Sequence, residues 1–163
     1  MVYNDFKCEY DPTIEDYYEK VISIDARYIN LKIIDTAGAE EWNWDRHYNK
    51  PQQNLFLLVY SIDRMVSFEY IKELYNRIAR VKEDHTYYVV LVGNKNDLPD
   101  SLREVSYDIG NDLANEWNAQ FFETSAKTGH NVERAFRMVI RQSDRFKRDP
   151  EIETVKNSKC NCL

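Results

Sequence analysis

Apolar positions along the chain fall into short continuous runs and into stripes of helical spacing. Val21 to Ile24 and Ile29 to Ile34 are β-branched runs joined by Asp25-Ala26-Arg27-Tyr28, and they predict a hairpin. Leu55 to Ser61 and Tyr88 to Gly93 are nearly all apolar, as strands buried on both faces of a parallel sheet are. Gln120 to Glu123 is a shorter fifth run. Between the runs the spacing changes to threes and fours. Phe68, Ile71, Leu74, Tyr75, Ile78 and Val81 form the stripe of one helix, capped by Ser67 and reaching Lys82. A second helix is predicted from Tyr107 to Trp117, with Ile109, Leu113, Ala114 and Trp117 inward. A third is predicted from Val132 to Phe146, capped by Asn131, with Val132, Ala135, Phe136, Val139 and Ile140 inward. All three stripes read as core.

Strands alternating with helices imply an α/β domain with a mostly parallel sheet. Such sheets bind ligands at the carboxyl ends of their strands. Chemistry is therefore expected just after Ile34, Ser61, Val92 and Glu123. From Asp149 onward the chain is polar, contains Pro150 and has no periodicity, so 149–163 read as a disordered tail and 1–148 as one domain.

Charge and composition narrow the function. A net charge of −6 argues against nucleic acid as a partner. No stretch reaches the roughly 18 apolar residues of a membrane span. The opening Met1-Val2-Tyr3-Asn4-Asp5-Phe6-Lys7 lacks the basic-then-apolar pattern of a secretory signal. Three cysteines, one at position 8 and two within the last four residues, fit a reducing compartment better than a disulfide framework. Three scattered histidines do not suggest a metal site. The four glycines, Gly38, Gly93, Gly110 and Gly129, are too dispersed for G-x-x-x-x-G-K-[ST] or G-x-G-x-x-G.

Three polar segments sit where strands end. Asp35-Thr36-Ala37-Gly38 places a carboxylate able to hold a magnesium-bound water three residues before a glycine whose N–H can approach a terminal phosphate. Gly93-Asn94-Lys95-Asn96-Asp97 offers a carboxylate that can accept the ring N–H and the amino N–H of guanine together, a lysine stem to cover the base, and an asparagine to tie neighbouring loops. Thr124-Ser125-Ala126-Lys127 could present the Ala126 N–H to the guanine O6, with Lys127 on the other ring face. Alone, Asp35-Thr36-Ala37-Gly38 reads first as a turn and Thr124 to Lys127 carries little signal, while Asn94-Lys95-Asn96-Asp97 is the more specific of the three against its polar-turn alternative. Their order, each after a predicted strand, is what carries weight.

With these segments the chain resembles the Ras family of small GTP-binding proteins over nearly its whole length. Tyr10-Asp11-Pro12-Thr13-Ile14-Glu15-Asp16 is similar to the family's first switch, and Asp35-Thr36-Ala37-Gly38-Ala39-Glu40-Glu41 to its second. Leu91 to Leu98 and Glu123 to Lys127 are similar to its guanine-binding segments. The resemblance implies a small-GTPase fold of the P-loop NTPase type, with a mixed, mostly parallel sheet flanked by helices. It implies a switch that binds GTP and GDP with Mg²⁺. Thr13 and Asp35 would serve the metal, and Gly38 would contact the γ-phosphate beside Thr36, Ala37 and Ala39. Asn94, Lys95, Asp97, Ser125, Ala126 and Lys127 would hold guanine. Tyr10 to Tyr18, including Tyr17, would form the segment that meets Ras-type effectors and regulators. The chain is expected to act as a monomer.

Two departures from the family pattern change the expected activity. The family's first strand and phosphate loop are missing from these residues, so the domain is expected to be incomplete, with a gap between the strands ending at Ile34 and Ser61. Losing three charge-assisted contacts of such a loop would weaken nucleotide binding by about 10³–10⁶-fold. Ala39 stands where the family usually has the glutamine that orients the attacking water, and a methyl group cannot do so. Hydrolysis is therefore expected to be slow. At the far end, Cys160-Asn161-Cys162-Leu163 fits C-a-a-X, with the terminal leucine favouring geranylgeranyl on Cys160. Without a polybasic stretch beside it, attachment to the cytoplasmic face of a membrane would be weak and reversible. Three readings are open: a Ras-type nucleotide switch, a pseudo-GTPase that presents its effector segment without a nucleotide cycle, and an incomplete product of a full-length gene.

Overall fold

In the computed structural model, residues 15–36, 54–83 and 86–143 are described. Their elements are β1 (Glu15–Ile24), β2 (Arg27–Thr36), β3 (Leu55–Ser61), α1 (Met65–Val81), β4 (Tyr88–Asn94), a short 3₁₀ turn (Asp100–Leu102), α2 (Tyr107–Glu116), β5 (Gln120–Glu123) and α3 (Val132–Gln142). Strands alternate with helices after the hairpin, as the sequence pattern predicts.

β3, β4 and β5 form a parallel sheet in that order. The register sets Ser61 opposite Asn94 and Gly93 opposite Glu123, so three carboxyl ends lie level. β4 is central and has a row of five buried residues, which explains its unbroken apolar run. On one face, α1 and α2 pack Phe68, Ile71, Ile78, Leu113 and Ala114 against Phe56, Leu58, Tyr60 and Leu91. On the other, α3 packs Ala135, Val139 and Ile140 against Val90, Val92 and Phe122. Each large apolar side chain buried this way contributes about 1.5–3 kcal/mol.

β1 and β2 form a separate antiparallel hairpin, longer at both ends than its β-branched runs predict. Its turn is Asp25-Ala26, with φ of 50° and 63°, the left-handed pair of a type I′ turn. The hairpin docks on α3 through Ile22, Ile24, Ile29 and Leu31. Arg137 Nη1 donates to the Ser23 carbonyl at 2.7 Å, and Arg141 Nη2 pairs with Asp25 at 2.6 Å. Among the described residues β2 and β3 are not paired, and no strand lies between them.

The helix starts differ from the sequence reading in instructive ways. α1 begins two residues before Ser67, and its N-cap residue, Arg64, makes no side-chain cap. Ser67 instead uses its hydroxyl to accept from Ser61 N–H and donate to the Arg64 carbonyl, clasping the β3–α1 turn. Asn131 occupies the N-cap position of α3 but does not cap it; its Nδ2 donates to the Glu123 carbonyl at 3.0 Å. Ser106 does cap α2, accepting from Ile109 N–H. Ile109 faces outward at 43% exposure, and the buried line of α2 runs through Gly110 instead.

That glycine has a steric cause. A Cβ at Gly110 would come within 2.6 Å of Phe121 Cζ and closer still to Tyr60 Oη. The Tyr60 hydroxyl is buried with no hydrogen-bond partner among the described residues, and burial, with Glu123 adding to it, raises the phenol above its ordinary range. Tyr60→Phe is therefore expected to raise stability by about 1–2 kcal/mol, since it removes an unsatisfied polar group. Gly110→Ala should lower it by about 1–3 kcal/mol despite the better helix propensity of alanine. Thermal denaturation of both variants checks this; a destabilising Tyr60→Phe would contradict it.

Candidate functional site

The carboxyl edge of the parallel sheet is where the loops after β3, β4 and β5 meet. Backbone hydrogen bonds lock the three together. Ile62 N–H, just past β3, donates to the Asn94 carbonyl at 3.1 Å. Thr124 N–H, just past β5, donates to the Gly93 carbonyl at 2.8 Å, and Asn96 N–H returns to the Thr124 carbonyl at 2.9 Å. Gly93 has to be small here, because a Cβ would meet Tyr60 Oη at 2.9 Å and Ile62 Cγ2 at 3.2 Å.

Asn94 is the hub of this edge. Its Oδ1 accepts from Thr124 Oγ1 at 3.2 Å and from Ala126 N–H at 3.0 Å, linking the loop after β4 to the loop after β5. The Ala126 N–H, on an exposed residue, thus already donates within the chain, where its motif could present it to a guanine oxygen.

Asp97 lies three residues further on, with its side chain at the surface. Ser125 is fully buried and its Oγ donates to Asp97 Oδ1 at 2.6 Å, while accepting from Thr128 N–H at 3.1 Å. The Ser125 hydrogen bond holds the Asp97 carboxyl below the usual carboxylate range, with Lys127 and Lys95 contributing. Asp97 therefore stays ionised and acceptor-only, as a group that takes two N–H donors from one ligand edge must. The turn around Ser125 is shaped by Gly129, whose φ of +80° favours glycine and whose N–H reaches the Ser125 carbonyl at 2.8 Å. Lys127 is exposed beside it.

Lys95 crosses the edge in the other direction. Its backbone is left-handed, with φ of +71°. Its Nζ bonds both carboxylate oxygens of Asp63 at 3.0 and 3.1 Å. Asp63 also accepts from the Ser61 hydroxyl, and this bond, followed by Lys95, lowers the Asp63 carboxyl below its ordinary value. The sequence reading marks the end of β3 as a place for chemistry but finds no motif there; a single aspartate after a strand carries no spacing signal.

Behind this edge, Arg103 reaches Glu123 with two hydrogen bonds, at 2.5 and 3.0 Å, and bonds the Val105 carbonyl at 3.2 Å. Both side chains are largely buried. This ion pair fixes the end of β5 from below.

The phosphate side of the expected site is described only at Asp35 and Thr36, the last two residues of β2. Asp35 pairs across the hairpin with Asp16. Burial, and then the facing Asp16, raise its carboxyl above the ordinary value. A carboxylate facing another acid across the hairpin is of the chemistry that a cation ligand set uses. Thr13, Ala37, Gly38 and Ala39 lie outside the described residues, as do Tyr10 to Ile14 of the effector segment and Cys160. Asp16, Tyr17 and Tyr18 stand on β1.

Comparison with known proteins is consistent with this geometry. The Ras family model matches residues 1–145. The chain is 43% identical over 153 residues to Ras-like protein rasC of Dictyostelium discoideum, covering 94% of this chain and 81% of that protein. It is 41% identical over 149 residues to Ras-like protein 2 of Mucor circinelloides, covering 91% and 75%. With Ras-like protein 1 of Saccharomyces cerevisiae it shares 47% identity over 136 residues, 83% of this chain but only 44% of the yeast protein.

The Ser125–Asp97 bond gives a direct test. Ser125→Ala is expected to move the Asp97 titration up toward the ordinary carboxylate range, followed by carboxyl NMR. Because the folded-state value is lowered, the favourable contribution is present at neutral pH and lost as pH falls through the Asp97 value. An unmoved Asp97 titration in the variant would show that the hydrogen bond does not set it.

Proposed function

The chain belongs to the Ras family of small GTPases, and from that premise we propose that it works as a guanine-nucleotide switch with slow or absent hydrolysis. The observation that carries this is the Asn94–Asp97–Ser125 cluster: an ionised, surface-facing carboxylate buttressed by a buried serine, on loops held rigid by Asn94. A neutral ligand that offers two adjacent N–H donors fits it, and the base edge of guanine is such a ligand.

Thr13 and Asp35 would hold Mg²⁺, which when bound neutralises phosphate charge. Gly38 would meet the terminal phosphate. Ala39 cannot position water, so the bound triphosphate state would persist and the effector segment Tyr10 to Tyr18 would stay presented. The outer edge of β1, which pairs only with β2 among the described residues, is the side on which effectors and regulators would dock. Geranylgeranyl on Cys160 would bring the chain to the cytoplasmic face of a membrane, reversibly, because one lipid alone anchors weakly.

A second reading is favoured by one specific observation. The Ala126 N–H already donates to Asn94. A pseudo-GTPase that presents its effector segment without a nucleotide cycle would have this feature.

Titration with a fluorescent GDP analogue separates the two readings. The switch reading expects Mg²⁺-dependent binding at micromolar concentration or below; no saturable binding would leave the effector module. Where binding occurs, Ala39→Gln is expected to raise single-turnover GTP hydrolysis about tenfold or more, as restoring a water-orienting group should. Equal rates would remove Ala39 as the cause of slow turnover. Cys160→Ser is expected to shift the protein from membrane to soluble fractions, and an unchanged distribution would refute the lipid anchor.

A further inference from the structure

One charged contact at the sheet edge is not needed to hold the strands together. The ends of β3 and β4 are already joined by the Ile62–Asn94 backbone bond. The β3–α1 turn is fixed on its other side as well. Glu104 and Val105 N–H both donate to the Ile62 carbonyl, at 2.9 and 3.0 Å, and Met65 N–H donates to Glu104 Oε2 at 2.6 Å. On the β4 side, Leu98 N–H donates to the Lys95 carbonyl at 3.0 Å and closes the turn that holds Lys95 left-handed. Asp63 and the Lys95 backbone are therefore each placed independently. What the Asp63–Lys95 pair adds is the position of one long side chain.

We propose, building on the guanine-site reading, that Asp63 is a positioning residue of that site: it anchors the Lys95 ammonium at the end of β3, so that the lysine stem rather than its charge lines the base cleft. Three features support this. The ammonium meets both carboxylate oxygens, at 3.0 and 3.1 Å, which defines its direction as well as its distance. The carboxylate is itself held by the Ser61 hydroxyl, so it cannot follow the lysine if the lysine swings. The Asp63 side chain is only 23% exposed against 45% for Lys95, so the anchor is the more enclosed partner. A free lysine would sample many rotamers and would turn its ammonium toward any phosphate nearby. Tethered here, the stem is pre-ordered as an apolar wall for a ring, and the ordering cost is met before the ligand arrives.

GDP dissociation measured by displacement of a fluorescent analogue from the full chain tests this, with melting temperatures recorded alongside. Asp63→Ala is expected to raise the GDP off-rate about tenfold, Asp63→Asn by less, and neither should change the melting temperature much. In a Lys95→Ala background, Asp63→Ala should have no further effect, because the aspartate acts through the lysine. An off-rate for Asp63→Ala within about twofold of the parent, or an equal increase in both backgrounds, would overturn the proposal. A fall in melting temperature that tracks the off-rate would make the pair structural and overturn it too. A parent chain that does not bind GDP at all would defeat the switch reading and this inference with it, an outcome distinct from normal binding that ignores Asp63.

Discussion

The level alignment of β3, β4 and β5, locked at the end of β4, is the constraint on which the rest of the molecule depends. Ile62 N–H on Asn94 and Thr124 N–H on Gly93 bring three loops to one line, and the Asn94 side chain then ties two of those loops to each other. Parallel strands make this possible because all three end on the same side. The packing below is arranged to suit. Gly93 leaves room for Tyr60, Gly110 leaves room for Tyr60 and Phe121, and the Arg103–Glu123 pair supports β5 beneath the loops.

The electrostatics of this edge fit recognition of a base better than capture of a phosphate. Asp97 and Asp63 are both kept ionised, each first by a serine hydroxyl. The Lys95 ammonium is neutralised by Asp63. An edge that presents a carboxylate and a covered lysine would, on the proposed reading, select for hydrogen-bond donors in a neutral ring. Phosphate charge would have to be met elsewhere, by the metal that Asp35 suits and by groups beyond the described residues. On the proposed reading, the Asp35 carboxyl, raised by burial and by Asp16, would be the described part of that second half.

Much of this was legible in the residues, and the failures have physical causes. The runs in β3 and β4 were clear because strands buried on both faces carry little besides apolar side chains. β-branched runs underestimate the hairpin because Glu15 to Lys20 are polar and aromatic residues that pair as a strand without such a run. The type of Ser67 suggests a cap, but its hydroxyl serves the turn before the helix. Hydrophobic spacing turns Ile109 inward because it cannot register a glycine on the buried line. In the site, Asn94, Asp97 and Ser125 stood out through their spacing after strands. Asp63 did not, since its partner is 32 residues away and no local pattern joins them. Nor does sequence reveal how a backbone N–H is used, so the bond from Ala126 to Asn94 was invisible.

On the proposed function, the Asp97 carboxylate, fixed by Ser125 and framed by Asn94, reads the donor edge of guanine. Competition among nucleoside diphosphates for the full chain, displacing a fluorescent GDP analogue in the presence of Mg²⁺, tests this most directly. GDP should compete best, IDP, which lacks the 2-amino donor, less well, and ADP, which lacks both donors, least of all. Equal competition by the three, or preference for ADP, would contradict the account.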